Sequence, residues 1–305
     1  MKFPSHWAPY LVAASAIAVG LPLGATPAQA SSSRSVPVRY TIRLEDQFLA
    51  SLRYLPVVFE PSTPPTSTTT TTTTTTVPGS TTTTTTTTTI ATAVTTTTTT
   101  VPPTTTTTVP TAPTVIQNGR FVWRFPQLPA ALRGQWRVGT SNVVLRGALM
   151  QFQLVHGLDT TGQMNALTWH NLTHAVIARQ TDPMSYDYVY VDKTEPERLK
   201  LYENGRLAQT NLVNTGVSAA PTADGTFPVY SRFTTTTMSG TLPDGMPYKD
   251  TGIPWVSYFN GGDALHGFIR DSYGWPQSLG CVEMTFADAA TLWPHTPIGT
   301  LVTVA

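Results

Sequence analysis

The chain has 305 residues, a formal net charge of +1, 40% hydrophobic residues and 11% charged ones. So even a balance lacks the basic field that phosphate-backbone binding requires, and no nucleic-acid partner is expected. The single cysteine, Cys281, rules out an internal disulfide framework.

Residues 1–30 have the three parts of a secretory signal. Lys2 supplies charge, Leu11 to Leu23 is an apolar stretch, and Ala28-Gln29-Ala30 is a small-x-small cleavage site. The apolar run is short for a membrane anchor, and Gly20, Pro22 and Gly24 interrupt its end. Cleavage after Ala30 is expected. The mature protein is then extracytoplasmic and monomeric, with no membrane span after signal cleavage.

Residues 31–61 read as a short structured segment. Leu44 to Leu52 predicts a helix, and Tyr54 to Phe59 a strand or extended turn. Residues 62–114 are nearly all Thr, spaced by prolines such as Pro78 and Pro110, and can build no core. They are expected to be a disordered linker, stiffened by β-branched residues and compatible with an O-glycosylated stalk. Fully extended, fifty such residues reach on the order of 170 Å; as a flexible coil they reach about 40 Å. Because closure entropy grows slowly with length, the tract could instead be an insertion within a small unit built from both its flanks. An independent N-terminal arm is the competing account.

Residues 115–180 carry a helical pattern. Val144, Ala148, Phe152 and Val155 share one face, with Ser141-Asn142 before them and Gly157 after. A second helix is expected from near Gln163, carrying Leu167, Leu172 and Val176. Residues 185–305 read as mostly β. Tyr186, Tyr188 and Tyr190 alternate with Asp187, Val189 and Val191, and Asn204-Gly205 marks a hairpin between 198–203 and 206–213. Further strands are expected at 226–233, 255–259 and 300–304. Thr285 and Asp288 form a capping arrangement for a short helix running toward Trp293. The fold class is α+β: a mostly antiparallel β-sandwich domain, a small helical bundle and the Thr-rich linker.

A lone cysteine in an exported chain points to intermolecular bonding or a retained reactive thiol, with a small packed hydrophobe as the alternative. Nucleophilic catalysis needs a base beside the thiol and donors for an oxyanion. His266, fifteen positions upstream, follows Asn260-Gly261-Gly262-Asp263-Ala264-Leu265 and is the candidate base. Gly280 lets the backbone approach a substrate, so the N–H groups of Gly280 and Cys281 are the candidate oxyanion donors. His295 offers a second ordering, with the base after the nucleophile. His170 and His174 have helical ligand spacing, but no third ligand suggests itself and no metal is expected. Trp255, Tyr258 and Trp275 are candidates to line a peptide cleft, against the alternative of sheet core.

His266-Gly267, Gly274-x-Pro276 and Ser278-x-Gly280-Cys281-Val282-x-Met284 together resemble the signature of the L,D-transpeptidase (YkuD-type) catalytic domain, with Thr222 to Phe227 and Gly299-Thr300-Leu301-Val302 also fitting. The resemblance implies a cysteine acyltransferase that joins donor and acceptor peptidoglycan stem peptides at the cell wall and needs no cofactor. It implies Cys281 as nucleophile, His266 as base, the Gly267 carbonyl as the group orienting the ring, and Ser278 near the substrate. Leu279 stands where the family often has His, and Glu283 where it often has Arg or Asn. The run from Arg146 through Phe152-Gln153 and Gly162 to Thr168-Trp169-His170-Asn171-Leu172 is similar to a peptidoglycan-binding helical module. The alternatives are a carboxypeptidase using water as acceptor and a non-catalytic wall-binding protein.

Overall fold

The computed structural model describes residues 40–62, 71–74, 84–87 and 118–305. The expected signal segment and most of the Thr-rich tract lie outside the described residues. The elements in chain order are α1 (Ile42–Ser51), β1 (Val57–Pro61), β2 (Thr71–Thr74), β3 (Thr84–Thr87), β4 (Gly119–Trp123), α2 (Ala130–Arg133), α3 (Val143–Val155) and α4 (Ala166–Ala178). They continue as β5 (Asp187–Asp192), β6 (Arg198–Glu203), β7 (Arg206–Leu212), β8 (Gly225–Pro228), β9 (Ser231–Thr241) and β10 (Pro247–Asn260). The last are β11 (Asp263–Gly267), β12 (Val282–Met284), α5 (Phe286–Leu292), a 3-10 turn at Trp293–His295, and β13 (Leu301–Val304). No helix among the described residues is long and apolar enough to cross a membrane.

Local chemistry sets the helix ends. Thr41 Oγ1 accepts from the Leu44 N–H at α1, Asn142 Oδ1 from Leu145 at α3, and Asn165 Oδ1 from Thr168 at α4. Helix α4 begins at Ala166 rather than near Gln163, because the buried Gln153 claims the preceding loop. Its Oε1 accepts from the Gly162 N–H at 2.8 Å and its Nε2 donates to the Gln163 carbonyl at 3.0 Å. The Trp169 ring stacks on Phe48 of α1 with centroids 5.4 Å apart, and Tyr54 meets Phe152 edge-on. Leu49, Leu55, Leu132, Phe152 and Leu172 are fully buried, so the segments on both sides of the Thr-rich tract share a core.

Strands β1 and β4 pair antiparallel from Val57 opposite Trp123 to Pro61 opposite Gly119. The Ser62 N–H donates to the Asn118 carbonyl at 2.7 Å, so the chain leaves for the tract and returns from it at adjacent points. Within the tract, β2 and β3 pair antiparallel, Thr71 opposite Thr87 and Thr74 opposite Thr84. Composition gave no strand there; β-branched threonines fit extended, paired backbone.

Two sheets make up the remainder. One has the order β7-β6-β5-β13-β8 and the other β12-β11-β10-β9. Most neighbours are antiparallel, but β13–β5 and β11–β12 are parallel. Val189, Leu199, Leu201 and Val302 from the first sheet and Phe259, Leu265, Val282 and Met284 from the second form one core cluster, closed by Ala289 and Leu292 of α5. The expected strand 226–233 is in fact two. At Val229 the N–H still donates to Thr300 of the first sheet, whereas at Tyr230 it donates to Tyr258 of the second. The chain therefore changes sheets within one residue. The expected strand 255–259 is the end of the longer β10, which pairs with β9 from Pro247 to Tyr258. That hairpin is rich in Thr, Ser and Gly, so it carries little apolar alternation to read.

The α3 helix meets the first sheet through a glycine. A Cβ on Gly147 would lie 2.6 Å from the Gly299 carbonyl oxygen and 2.8 Å from Leu301 Cδ2. Backbone cannot yield as a flexible side chain does. Gly147→Leu is therefore expected to cost about 1–3 kcal/mol of stability by overpacking, read from the denaturant midpoint.

Candidate active site

The parallel pairing of β11 with β12 brings the distant motifs together. Leu265 sits opposite Val282, His266 opposite Glu283 and Gly267 opposite Met284. Cys281, immediately before β12, and His266 both line a cavity of about 520 Å³, with Tyr258, Arg270 and Glu283 in its wall and Met238 and Tyr248 from the β9–β10 hairpin over it.

His266 is 3% exposed, and its Nδ1 lies 3.0 Å from the Gly267 carbonyl oxygen. A carbonyl can only accept, so the neutral ring carries its proton on Nδ1 and leaves a lone pair on Nε2. Nε2 has no hydrogen-bond partner among the described residues. Burial holds the imidazole pKa below its ordinary value, against the opposing pull of the Gly267 carbonyl and Glu283. Gly267 itself is tightly packed, since a Cβ there would lie 2.8 Å from the Phe286 ring.

Cys281 is a partly exposed free cysteine. Its Sγ lies 3.7 Å from the Gly262 carbonyl, and no hydrogen bond joins it to the imidazole. Burial pushes the thiol pKa up to about 12, with the Asp263 and Glu283 charges adding and the Ala264 N–H opposing. Both shifts favour the uncharged thiol and the uncharged imidazole over an ion pair. Such an arrangement suits general-base removal of the proton as attack occurs.

Gly280 has φ +112°, and a Cβ on it would lie 2.6 Å from Asp263 Oδ1. Asp263 is itself held, its Oδ2 accepting from the Ala223 N–H at 3.2 Å. Two sequence expectations are corrected at this turn. The buried Ser278 does not face the cavity. Its Oγ donates to the Cys281 carbonyl at 2.5 Å and accepts from the Gly280 N–H at 3.2 Å. That same bond engages the Gly280 N–H, one of the two expected oxyanion donors, and leaves the Cys281 N–H as the candidate. A serine beside a tight turn folds its hydroxyl back onto local backbone, an outcome the motif alone does not distinguish from a substrate contact.

Tyr258 lines the cavity, whereas Trp255 and Trp275 do not. Trp255 has φ +57° and turns to the interior, its ring 5.5 Å from that of Trp293. Trp275 is 41% exposed on the loop outside the cavity. His295 is also elsewhere, with Nδ1 2.9 Å from Asp187 Oδ2. Among the described residues, the one group whose ligand atoms lie close enough to share a metal ion is Asp187, Glu203 and His295, within 4.8 Å of one another. Asp187 and Glu203 face each other across β5 and β6, and His295 Nδ1 lies beside Asp187.

Arg270 carries no motif signal in the sequence. Its Nε and Nη2 donate to the two Glu283 carboxylate oxygens at 2.7 and 2.8 Å, and its guanidinium lies 4.7 Å from the Phe268 ring centroid. Glu283 stood out only as a departure from a motif. A cation thirteen residues before an acid, across a loop, has no spacing that announces the pair.

Residues 186–304 match the family model described as YkuD, the L,D-transpeptidase catalytic domain. No curated protein matches the chain. Among solved structures, an L,D-transpeptidase from Mycobacterium smegmatis is similar at 19% identity and a TM-score of 0.37, covering 40% of this chain and 59% of that one. The catalytic domain of an E. faecium L,D-transpeptidase is similar at 25% identity and a TM-score of 0.36, covering 40% of this chain and 99% of that one. L,D-transpeptidase 3 from Mycobacterium tuberculosis is similar at 15% identity and a TM-score of 0.36, covering 40% of this chain and 61% of that one. The match to the mycobacterial structures thus takes in about three fifths of their length.

Proposed function

We propose that this chain is an exported L,D-transpeptidase that crosslinks peptidoglycan stem peptides through a thioester on Cys281. The observation that carries this reading is one cavity holding both the lone cysteine and a buried neutral histidine, within the segment that matches the YkuD family model. The thiol sulfur attacks the carbonyl between the third residue of a donor stem and its terminal D-residue, while its proton passes to His266 Nε2. The Cys281 N–H steadies the developing oxyanion. The C–N bond then breaks, the proton moves from Nε2 to the leaving amine, and a thioester remains. An amine from a neighbouring stem attacks that carbonyl, the C–S bond breaks, and the thiol is restored. Residues 115–180, which lie outside the family match, are proposed as the wall-binding module on the strength of their helical motif.

Incubation of the purified protein with a carbapenem, followed by intact-mass measurement, tests this. One adduct is expected on the native chain and none on Cys281→Ala. Labelling of both, or of neither, contradicts the assignment.

The two pKa directions add a pH expectation. The base must be neutral, and burial extends its neutral form to more acid pH. The thiol must keep its proton until attack, and burial extends that form to alkaline pH. Acylation rate against pH is therefore expected to hold a plateau from below the usual imidazole value of about 6.5 to above 8.5, the approximate ordinary thiol value. A rise centred near the ordinary thiol value would instead mark attack by a freely ionised thiolate.

A further inference from the structure

We infer that Arg270 is the specificity-determining residue of this cavity, its guanidinium receiving the terminal carboxylate of the donor peptide, with Glu283 as the positioning residue that aims it. This rests on the acyltransferase reading of the same cavity. Arg270 is the one cationic side chain among the described residues lining the cavity, which also holds Asp250, Asp263 and Glu283. An anionic group entering there has no other charged partner.

The pairing leaves the guanidinium available. Nε and Nη2 donate to Glu283, and Nη2 also reaches the Gln277 carbonyl at 3.3 Å. Nη1 has no partner among the described residues and keeps two N–H donors. The Glu283 side chain is 6% exposed and that of Arg270 30%, so the acid lies beneath and the cation above it. A bidentate fork fixes the plane of the guanidinium, which lowers the ordering needed when a carboxylate arrives.

Position also fits. Glu283 follows Cys281 by two residues into a strand, so both side chains point to one face about 7 Å apart along it. In an extended peptide, the carboxylate that ends the residue after the scissile bond lies one residue's length, roughly 3.5 Å, from the reacting carbonyl. Arg270 and Cys281 line the same cavity, so the guanidinium held on Glu283 is the cation available over that span.

The test compares a stem tetrapeptide ending in a free acid with the same peptide ending in an amide, by kcat/KM for release of the terminal residue. The native chain is expected to prefer the acid by roughly 10- to 100-fold, the worth of a hydrogen-bonded charged contact. Arg270→Ala is expected to bring the acid-to-amide ratio close to one. Glu283→Gln is expected to shrink the ratio mainly through KM for the acid. The exchange Arg270→Glu with Glu283→Arg restores a buried pair with the cation on β12, and is expected to recover part of the preference. A purely structural ion pair would leave the ratio unchanged in every variant that folds. A native ratio near one, or a ratio preserved in Arg270→Ala, overturns the inference while leaving the acyltransferase reading intact. Release from neither peptide by the native chain removes both.

Discussion

Replacing His266 with alanine is expected to slow thioester formation on Cys281 by about 10²- to 10⁴-fold, the usual worth of a placed general base. The size of the loss follows from the thiol. Burial holds its pKa at about 12, so spontaneous ionisation near neutrality supplies very little nucleophile. Glu283 is committed to Arg270, and Asp263 Oδ2 accepts from Ala223 and Asn260. His295, held by Asp187 outside the cavity, is expected to be dispensable. Single-turnover acylation of the His266→Ala and His295→Ala proteins checks this, with slowing expected only in the first. A normal rate in His266→Ala would remove the base from its assigned role.

Gly280→Val is expected to be the most damaging change that leaves every reactive group in place. A side chain at φ +112° strains the backbone, and its first carbon would fall 2.6 Å from Asp263 Oδ1. Asp263 cannot simply swing away, because its Oδ2 accepts from the Ala223 and Asn260 N–H groups. The two effects together are expected to cost about 2–4 kcal/mol of stability. The turn also carries the Cys281 N–H, so an ångström of displacement spoils both the attack line and the oxyanion contact. A loss on the order of 10²-fold in acylation is expected below the melting temperature. Equal acylation by folded Gly280→Val and native protein would show that the turn does not position the thiol.

How far the sequence disclosed this site depended on the kind of signal each residue left. Cys281 stood out by being alone, and His266 by its glycine-flanked approach; the parallel β11–β12 pairing then put both on one cavity wall. Capping at Asn142 and Thr285 and the Asn204-Gly205 turn were legible because each depends on neighbours within four residues. Features that depend on distant partners were not. An insertion between two packed flanks was open to reading from the apolar residues before the Thr-rich tract, but not the β1–β4 register that joins them, and the sheet change at Val229 is decided by Thr300 and Tyr258. Side-chain direction failed in a different way. Trp255 and Tyr258 are equally aromatic and close in sequence, yet the left-handed backbone at Trp255 and the paired strand at Tyr258 give them different directions. Ser278 belongs to the motif but bonds back to its own turn, and Arg270 acquires meaning only once Glu283 is opposite His266.

The most direct measurement is rapid-quench intact mass of the full-length mature protein mixed with a stem tetrapeptide. A transient adduct is expected, equal to the tetrapeptide less its terminal residue and located on the Cys281 peptide after digestion. It should discharge to crosslinked dimer when an acceptor stem is added, and be absent in Cys281→Ala. Release of the terminal residue with no covalent species on that thiol, or turnover that survives its removal, would contradict the account.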